Sequence, residues 1–168
     1  MDRAIYFAYG SNMSLAQMQQ RCSGSQYLGV GVLGGWRWMI NERHFANIVP
    51  SESDVVYGLL YTLTETDVER LDVNEGVPYA YTRETMSVEV EKQIRGTAPL
   101  STVESLVYVD SKRITDSTPY AEYIERMNQG IVDALEKGVS STYIDQSLRP
   151  FIPPLDALDR LLPSATSD

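Results

Sequence analysis

Residues 5–13 read Ile-Tyr-Phe-Ala-Tyr-Gly-Ser-Asn-Met, with Ile5, Phe7 and Tyr9 alternating against Tyr6 and Ala8. β-Branched and aromatic residues on both faces predict a short strand covered on both sides. The pattern stops at Gly10, and Ser11 and Asn12 are small polar residues that bend a chain and cap the helix that follows. Ser14 opens that helix, with Gln17 three residues on in a capping-box pattern, and Leu15 and Met18 give it an apolar edge. Ser23-Gly24-Ser25 ends it.

Residues 27–33 alternate bulky side chains with Gly29 and Gly31, as in a bent strand. Gly34-Gly35 is expected to be a hairpin turn with residues 36–40 as the returning strand. Residues 45–49 form a further short strand closed by Pro50 and Ser51, and residues 55–63, the most apolar run, a central strand around Gly58. Thr64 caps a second helix with core contacts at Val68 and Leu71, ending near Asp72. The turn Asn74-Glu-Gly-Val-Pro78 leads to alternation over 79–90, and 102–109 closes the strand-rich part. Thr118 and Pro119 open a long helix with Ile124, Met127, Ile131 and Leu135 on one face and Gly138 as its stop. A helix over 141–148 and an amphipathic piece carrying Leu155, Leu158, Leu161 and Leu162 follow, and 164–168 is expected to fray. Strands first and helices afterwards give an α+β fold with a strongly bent, barrel-like sheet, expected as one domain over 1–163.

Charge narrows the partners. The 168 residues carry a formal net charge of −9 with acids spread along the chain. Phosphate-backbone binding and adhesion to anionic membranes both need clustered Lys and Arg, so nucleic acid and membrane are set aside in favour of a small molecule or a protein. The lone Cys22 excludes a disulfide framework, and no apolar run is long enough for a membrane span. No basic segment precedes a long apolar block at the N-terminus, so a cytoplasmic protein is expected.

Candidate chemistry emerges largely by elimination. One histidine, His44, and one cysteine cannot build the common zinc sites, so no metal is expected. Cys22 is read as an inert thiol. No nucleophile elbow, P-loop or dinucleotide fingerprint is present, and Gly29-Val-Gly31 does not lead into a helix, so no nucleotide cofactor is expected. The remaining acid-base group is a carboxylate, and Glu75, held between Asn74 and Gly76, has the most unusual surroundings. The Gly10-Ser11-Asn12 turn, where a strand meets a helix start, presents unpaired N–H groups suited to an anion, although local chemistry alone also fits a plain connection.

Two separate stretches resemble one family. Tyr6-Phe-Ala-Tyr-Gly-Ser-Asn12 is similar to the hallmark of the γ-glutamylcyclotransferase-like family, which includes the avirulence-induced-gene-like proteins, and Leu71-Asp-Val-Asn-Glu-Gly-Val77 is similar to the segment holding its catalytic glutamate. Gly35-Trp-Arg-Trp-Met-Ile-Asn41, Ala46-Asn-Ile-Val-Pro-Ser51, Val56 to Tyr61, and Pro119-Tyr120 extend the likeness along nearly the whole chain. The resemblance implies a small mixed barrel flanked by helices and a cofactor-free reaction converting a γ-glutamyl compound into 5-oxoproline and a released amine. By the same likeness Glu75 is the general base and acid, and Tyr6, Phe7, Ala8, Tyr9, Gly10, Ser11, Asn12 and Tyr120 bind substrate. Asn41, Arg43, Tyr79 and Arg83 are weighed as cavity residues, with a structural role favoured for all four. A non-catalytic binding module on the same fold is the alternative, and the oligomeric state is left open.

Overall fold

The computed structural model describes residues 3–96 and 98–156. Five strands form a closed barrel: β1 (Ala4–Ala8), β2 (Gln26–Ile40), β3 (Ala46–Leu63), β4 (Thr82–Gln93) and β5 (Thr102–Val109), in the spatial order β1-β3-β2-β4-β5. All neighbours are antiparallel except β1 and β5, which run parallel with Tyr6 opposite Leu106 and close the barrel. The helices are α1 (Leu15–Arg21), α2 (Glu65–Asn74), α3 (Ala121–Lys137) and the short α4 (Ser141–Tyr143), which runs on into a π turn over Ile144–Leu148. The α+β class and barrel-like sheet expected from the sequence are what the structure has.

Four expected short strands merge into two long ones that form a single hairpin. Gly34-Gly35 does not reverse the chain, because β2 and β3 are long strands paired almost end to end, from Gln26 opposite Thr62 to Ile40 opposite Ala46. The glycine pair is taken up as a bulge between Gly34 and Trp36, where Gly35 adopts φ +84° and lets the strand bend. Pro50 lies opposite Trp36 within β3 and does not end a strand. The reversal comes at 41–45: the Asn41 side-chain oxygen accepts from the Arg43 N–H at 3.0 Å, and His44 sits at φ +72°.

Phe7, Val30, Val56, Leu59, Leu60, Val88 and Val107 are buried on one or the other face of the barrel wall. Gly58 is needed for β1 to approach β3, since a Cβ there would strike the Ala8 carbonyl oxygen. The arm of β2 and β3 beyond the bulge folds back over the site end of the barrel. Trp38, 1% exposed, donates its indole N–H to the Tyr9 carbonyl at 2.9 Å. Asn47 hooks this arm to the chain after β5, accepting from the Asp110 N–H at 2.9 Å and donating to its carbonyl at 2.8 Å.

α1 and α2 begin at their expected caps, Ser14 and Thr64. Thr64 and Asp67 form a reciprocal capping box for α2. This helix continues to Asn74, past the expected stop near Asp72. The N-cap of α3 is Tyr120, two residues later than expected, and its buried stripe is Tyr123, Met127, Gly130, Ile131 and Ala134. Leu135 is 40% exposed and falls off that face, because the stripe follows the small residues at 130 and 134 that let α3 lie close to the turn after β1. Gly138 ends the helix at φ +102°, as expected. Leu155 is 44% exposed, whereas Leu158, Leu161, Leu162 and 164–168 lie outside the described residues. Among the described residues no helix is long and apolar enough to cross a membrane.

Candidate active site

A cavity of about 160 Å³ opens at the end of the barrel where β1 runs into the Ser11–Met13 3₁₀ turn. Its lining joins three parts of the chain. The β1 end and turn give Tyr6, Tyr9, Gly10, Ser11 and Asn12, the α2 end gives Asn74 and Glu75, and α3 gives Tyr123 and Arg126. Arg21 of α1, Phe45 and Ala46 of the arm, Tyr81, and Tyr108 of β5 complete it.

Glu75 is the C-cap of α2, its N–H bonded to the Leu71 carbonyl at 2.8 Å. Gly76 follows at φ +63°, which a side chain would resist, and turns the chain sharply into Val77-Pro78. The carboxylate therefore stands at the negative end of a helix, in a cavity with five phenolic rings in its walls. Burial pushes the Glu75 carboxyl up to about 7, with Arg21, Arg126 and Arg43 pulling in the opposite direction. The five tyrosines around it, Tyr6, Tyr9, Tyr81, Tyr108 and Tyr123, are all raised, first by burial and also by the charge of Glu75. They remain neutral hydroxyl donors throughout the physiological range.

Several of these hydroxyls are committed to holding the site. Tyr9 donates to the Tyr108 carbonyl and Tyr81 donates to the Ala46 carbonyl at 2.6 Å. Tyr123 accepts from the Ala46 N–H at 3.3 Å. Tyr61, outside the lining, donates to the Asn12 carbonyl at 3.1 Å.

The turn is fixed by its own side chains. Gln17 donates to Ser11 Oγ and Asn12 Oδ1, both at 2.8 Å, while Arg126 donates to Gln17 at 3.1 Å and to Ser11 Oγ at 3.3 Å. Arg21 donates to Asn12 Oδ1 at 3.2 Å, and Asn12 donates to the Tyr6 hydroxyl at 3.1 Å. Gln17 thus does not close a capping box on Ser14, whose oxygen accepts from the Gln17 N–H at 3.2 Å; its side chain braces the turn instead. Gly10 and Gly130 let α3 and the arm press on this turn. A Cβ on Gly10 would lie 3.2 Å from the Ala46 Cβ and 3.3 Å from the Tyr123 hydroxyl, and one on Gly130 would lie 3.3 Å from the Met13 Cβ.

The residues singled out in the sequence fall into two groups. Glu75, Tyr6, Tyr9, Gly10, Ser11 and Asn12 share the cavity. Phe7 and Ala8 do not line it; both are fully buried, with the Phe7 ring and the Ala8 carbonyl lying against Gly58. Tyr120 does not line it either. It is 52% exposed and packs on His44 and Phe45, with ring centroids 4.5 and 5.7 Å away, because position 120 caps α3 and Tyr123, one turn on, faces inward.

None of the other four candidates lines the cavity. Asn41 donates to Asp110 at 3.1 Å, Arg43 lies 5.8 Å from the Phe45 ring, Tyr79 is 84% exposed, and Arg83 pairs with Asp72 at 3.4 Å. Sequence reading missed Tyr123, Arg126, Arg21, Tyr81 and Tyr108. The one available signal was the Tyr123, Arg126 spacing of three beside a buried helical stripe. Cys22 is buried, donates to the Asp67 carbonyl at 3.6 Å and has its thiol pushed up to about 11 by burial. Among the described residues no cluster of three or more His, Cys, Asp and Glu side chains is arranged to hold a metal ion.

Comparison with solved structures gives the fold a second footing. A human protein described as uncharacterized matches with a TM-score of 0.74 at 21% identity, over 92% of this chain and 90% of its own. A γ-glutamyl cyclotransferase matches with a TM-score of 0.73 at 19% identity, over 99% and 93%. A mouse AIG2-like protein matches with a TM-score of 0.56 at 20% identity, over 74% and 84%. No curated protein matches in sequence. The family profile "Gamma-glutamyl cyclotransferase, AIG2-like" matches residues 6–124, from the strand that carries the turn to the first helical turn of α3. That span is well over half of the sequence, and the chain belongs to the γ-glutamyl cyclotransferase, AIG2-like family.

Proposed function

We propose that this chain is a γ-glutamylcyclotransferase, with Glu75 as general base and acid, acting on a small γ-glutamyl compound without a cofactor. The observation that carries the reading is a single carboxylate titrating near neutrality in the same cavity as the Gly10-Ser11-Asn12 turn. A group with that pKa suits proton transfer in both directions at pH 7.

In the proposed reaction the α-amine of the γ-glutamyl group attacks its own γ-carbonyl. Glu75 first takes a proton from the ammonium and exposes the nitrogen lone pair. The new C–N bond closes a five-membered ring and leaves a tetrahedral oxyanion, which N–H groups of the turn stabilise. Glu75 hands its proton to the departing nitrogen, takes a second proton from the attacking nitrogen as the bond to the departing nitrogen breaks, and passes that proton to the released amine. One ammonium proton stays on the lactam, so the products are 5-oxoproline and the protonated amine, and no water is consumed. Nucleophile and carbonyl already share a molecule, so the site mainly selects the folded conformer. Arg21 and Arg126 supply positive charge for the substrate carboxylate, and Tyr6 and Tyr123, whose hydroxyls accept bonds within the protein, can donate to it.

Glu75→Gln keeps the shape and removes the proton acceptor. It is expected to lower 5-oxoproline formation from a panel of γ-glutamyl amino acids, peptides and amines by about 10² or more while the protein stays folded. Turnover near the wild-type level in this variant sinks the assignment.

A further inference from the structure

The cavity continues outward into a second, wider groove of about 470 Å³ between α1 and α2, lined by Gln20, Arg21, Glu69, Arg70, Val73 and Asn74. Two of these, Arg21 and Asn74, also line the inner cavity, and Asn74 is the residue immediately before Glu75. The groove therefore begins beside the proposed base. Building on the proposed reaction, a substrate whose α-amine and α-carboxylate occupy the cavity must send the substituent of its departing nitrogen past Glu75, and this groove is the space that receives it.

The chemistry of the groove is selective. Arg21 and Arg70 outnumber Glu69, and no carboxylate among the described residues lies within ion-pair distance of either arginine. In a chain with 23 acidic and 14 basic residues, two arginines without a salt bridge at one mouth form a local positive patch. Arg21 already donates to Asn12, which leaves Arg70 as the cation facing outward. Val73, 81% exposed, adds an apolar surface beside them. We propose that the α1–α2 groove is the leaving-group subsite, and that Arg70 makes it favour leaving groups bearing a carboxylate, an amino acid or peptide, over simple amines.

The test compares kcat/KM for γ-glutamyl-alanine and γ-glutamyl-ethylamide, which differ at the departing side chiefly by a carboxylate. The wild type is expected to prefer γ-glutamyl-alanine. In Arg70→Ala the ratio of the two kcat/KM values falls about fivefold, the scale of a solvent-exposed ion pair, and Arg70→Lys restores most of it. Raising the ionic strength lowers the wild-type ratio and leaves that of Arg70→Ala nearly constant. The ratio is internal to each variant, so partial loss of folded protein does not affect it. Turnover of both substrates with no preference in the wild type, or with a ratio unmoved by Arg70→Ala, overturns the subsite and leaves the cyclotransferase reading intact. Turnover of neither overturns both.

Discussion

A carboxyl raised to about 7 makes a prediction about stability as well as activity. The folded Glu75 holds its proton to higher pH than the unfolded chain, where a glutamate titrates near its ordinary 4.5. Between those values the folded state binds more protons, so raising the pH removes stability, and the penalty is complete above about 7. Glu75→Gln escapes it. The variant is expected to melt above the wild type at pH 8, by the equivalent of about 3 kcal/mol, and alongside it at pH 4. Thermal denaturation at both values checks this, and a wild type more stable than the variant at pH 8 contradicts it. In activity, kcat/KM rises with pH through about 7 as Glu75 ionises. The tyrosines supply the second residue-scale prediction. Tyr123→Phe removes a hydroxyl that lines the cavity and accepts from the Ala46 N–H and is expected to lower kcat/KM about tenfold, whereas Tyr120→Phe, on an exposed ring, changes it by less than about twofold. Kinetics of the two variants in parallel decide which tyrosine serves the site.

At the level of elements, the position of Glu75 depends on how the end of α2 is moored. Asp72, one turn earlier, accepts from the Tyr108 hydroxyl of β5 at 2.8 Å and pairs with Arg83 of β4 at 3.4 Å, while its carbonyl accepts from the Val77 N–H at 3.0 Å. These bonds tie the last turn of α2 to both strands that flank it. Asp72→Ala and Tyr108→Phe are each expected to lower kcat with little change in KM, and the double variant to lose little more than the worse single one, because each removes the same tether. Additive losses would mean that the two residues act separately. Much of this scale was legible beforehand. Ser14, Thr64 and Gly138 announce their helix ends because capping is a local interaction of a few adjacent residues. Gly34-Gly35 misled because whether a glycine pair turns or bulges is decided by what lies across the sheet, and the partner of Trp36 is Pro50, fourteen residues on. The glutamate and the turn were identifiable from their motifs. Tyr81, Tyr108 and Arg126 were not, since what brings them to the cavity is barrel closure and the pressing of α3 onto the turn at Gly130.

Over the whole molecule, the barrel, the arm and the chain after α4 converge on Trp38. Its indole bonds to the Tyr9 carbonyl, one residue before the turn, and its ring meets Phe151 edge-on at 5.8 Å. Ile152 is fully buried, and Asn128 of α3 ties this segment down. It donates to the Pro153 carbonyl at 3.0 Å and accepts from Arg149 at 2.7 Å, and Arg149 also reaches the Ile152 carbonyl at 3.2 Å. Among the described residues, Phe151 and Ile152 thus supply the cover over Trp38. Ending the chain after Arg149 strips the cover from Trp38 and opens a hole beside the strand that presents the turn. The expected cost is about 3 kcal/mol, the scale of losing a large buried side chain, with a melting point lower by several degrees and a parallel fall in 5-oxoproline formation. The protein has two tryptophans, and Trp38 is the buried one, so its emission should shift to the red in the same truncation. Calorimetry and fluorescence on this truncation, beside one ending after Asp156, separate the two segments. If stability survives the loss of 150–168 and falls only in a partner-binding or self-association measurement, the end of the chain is an interaction element and does not brace the site.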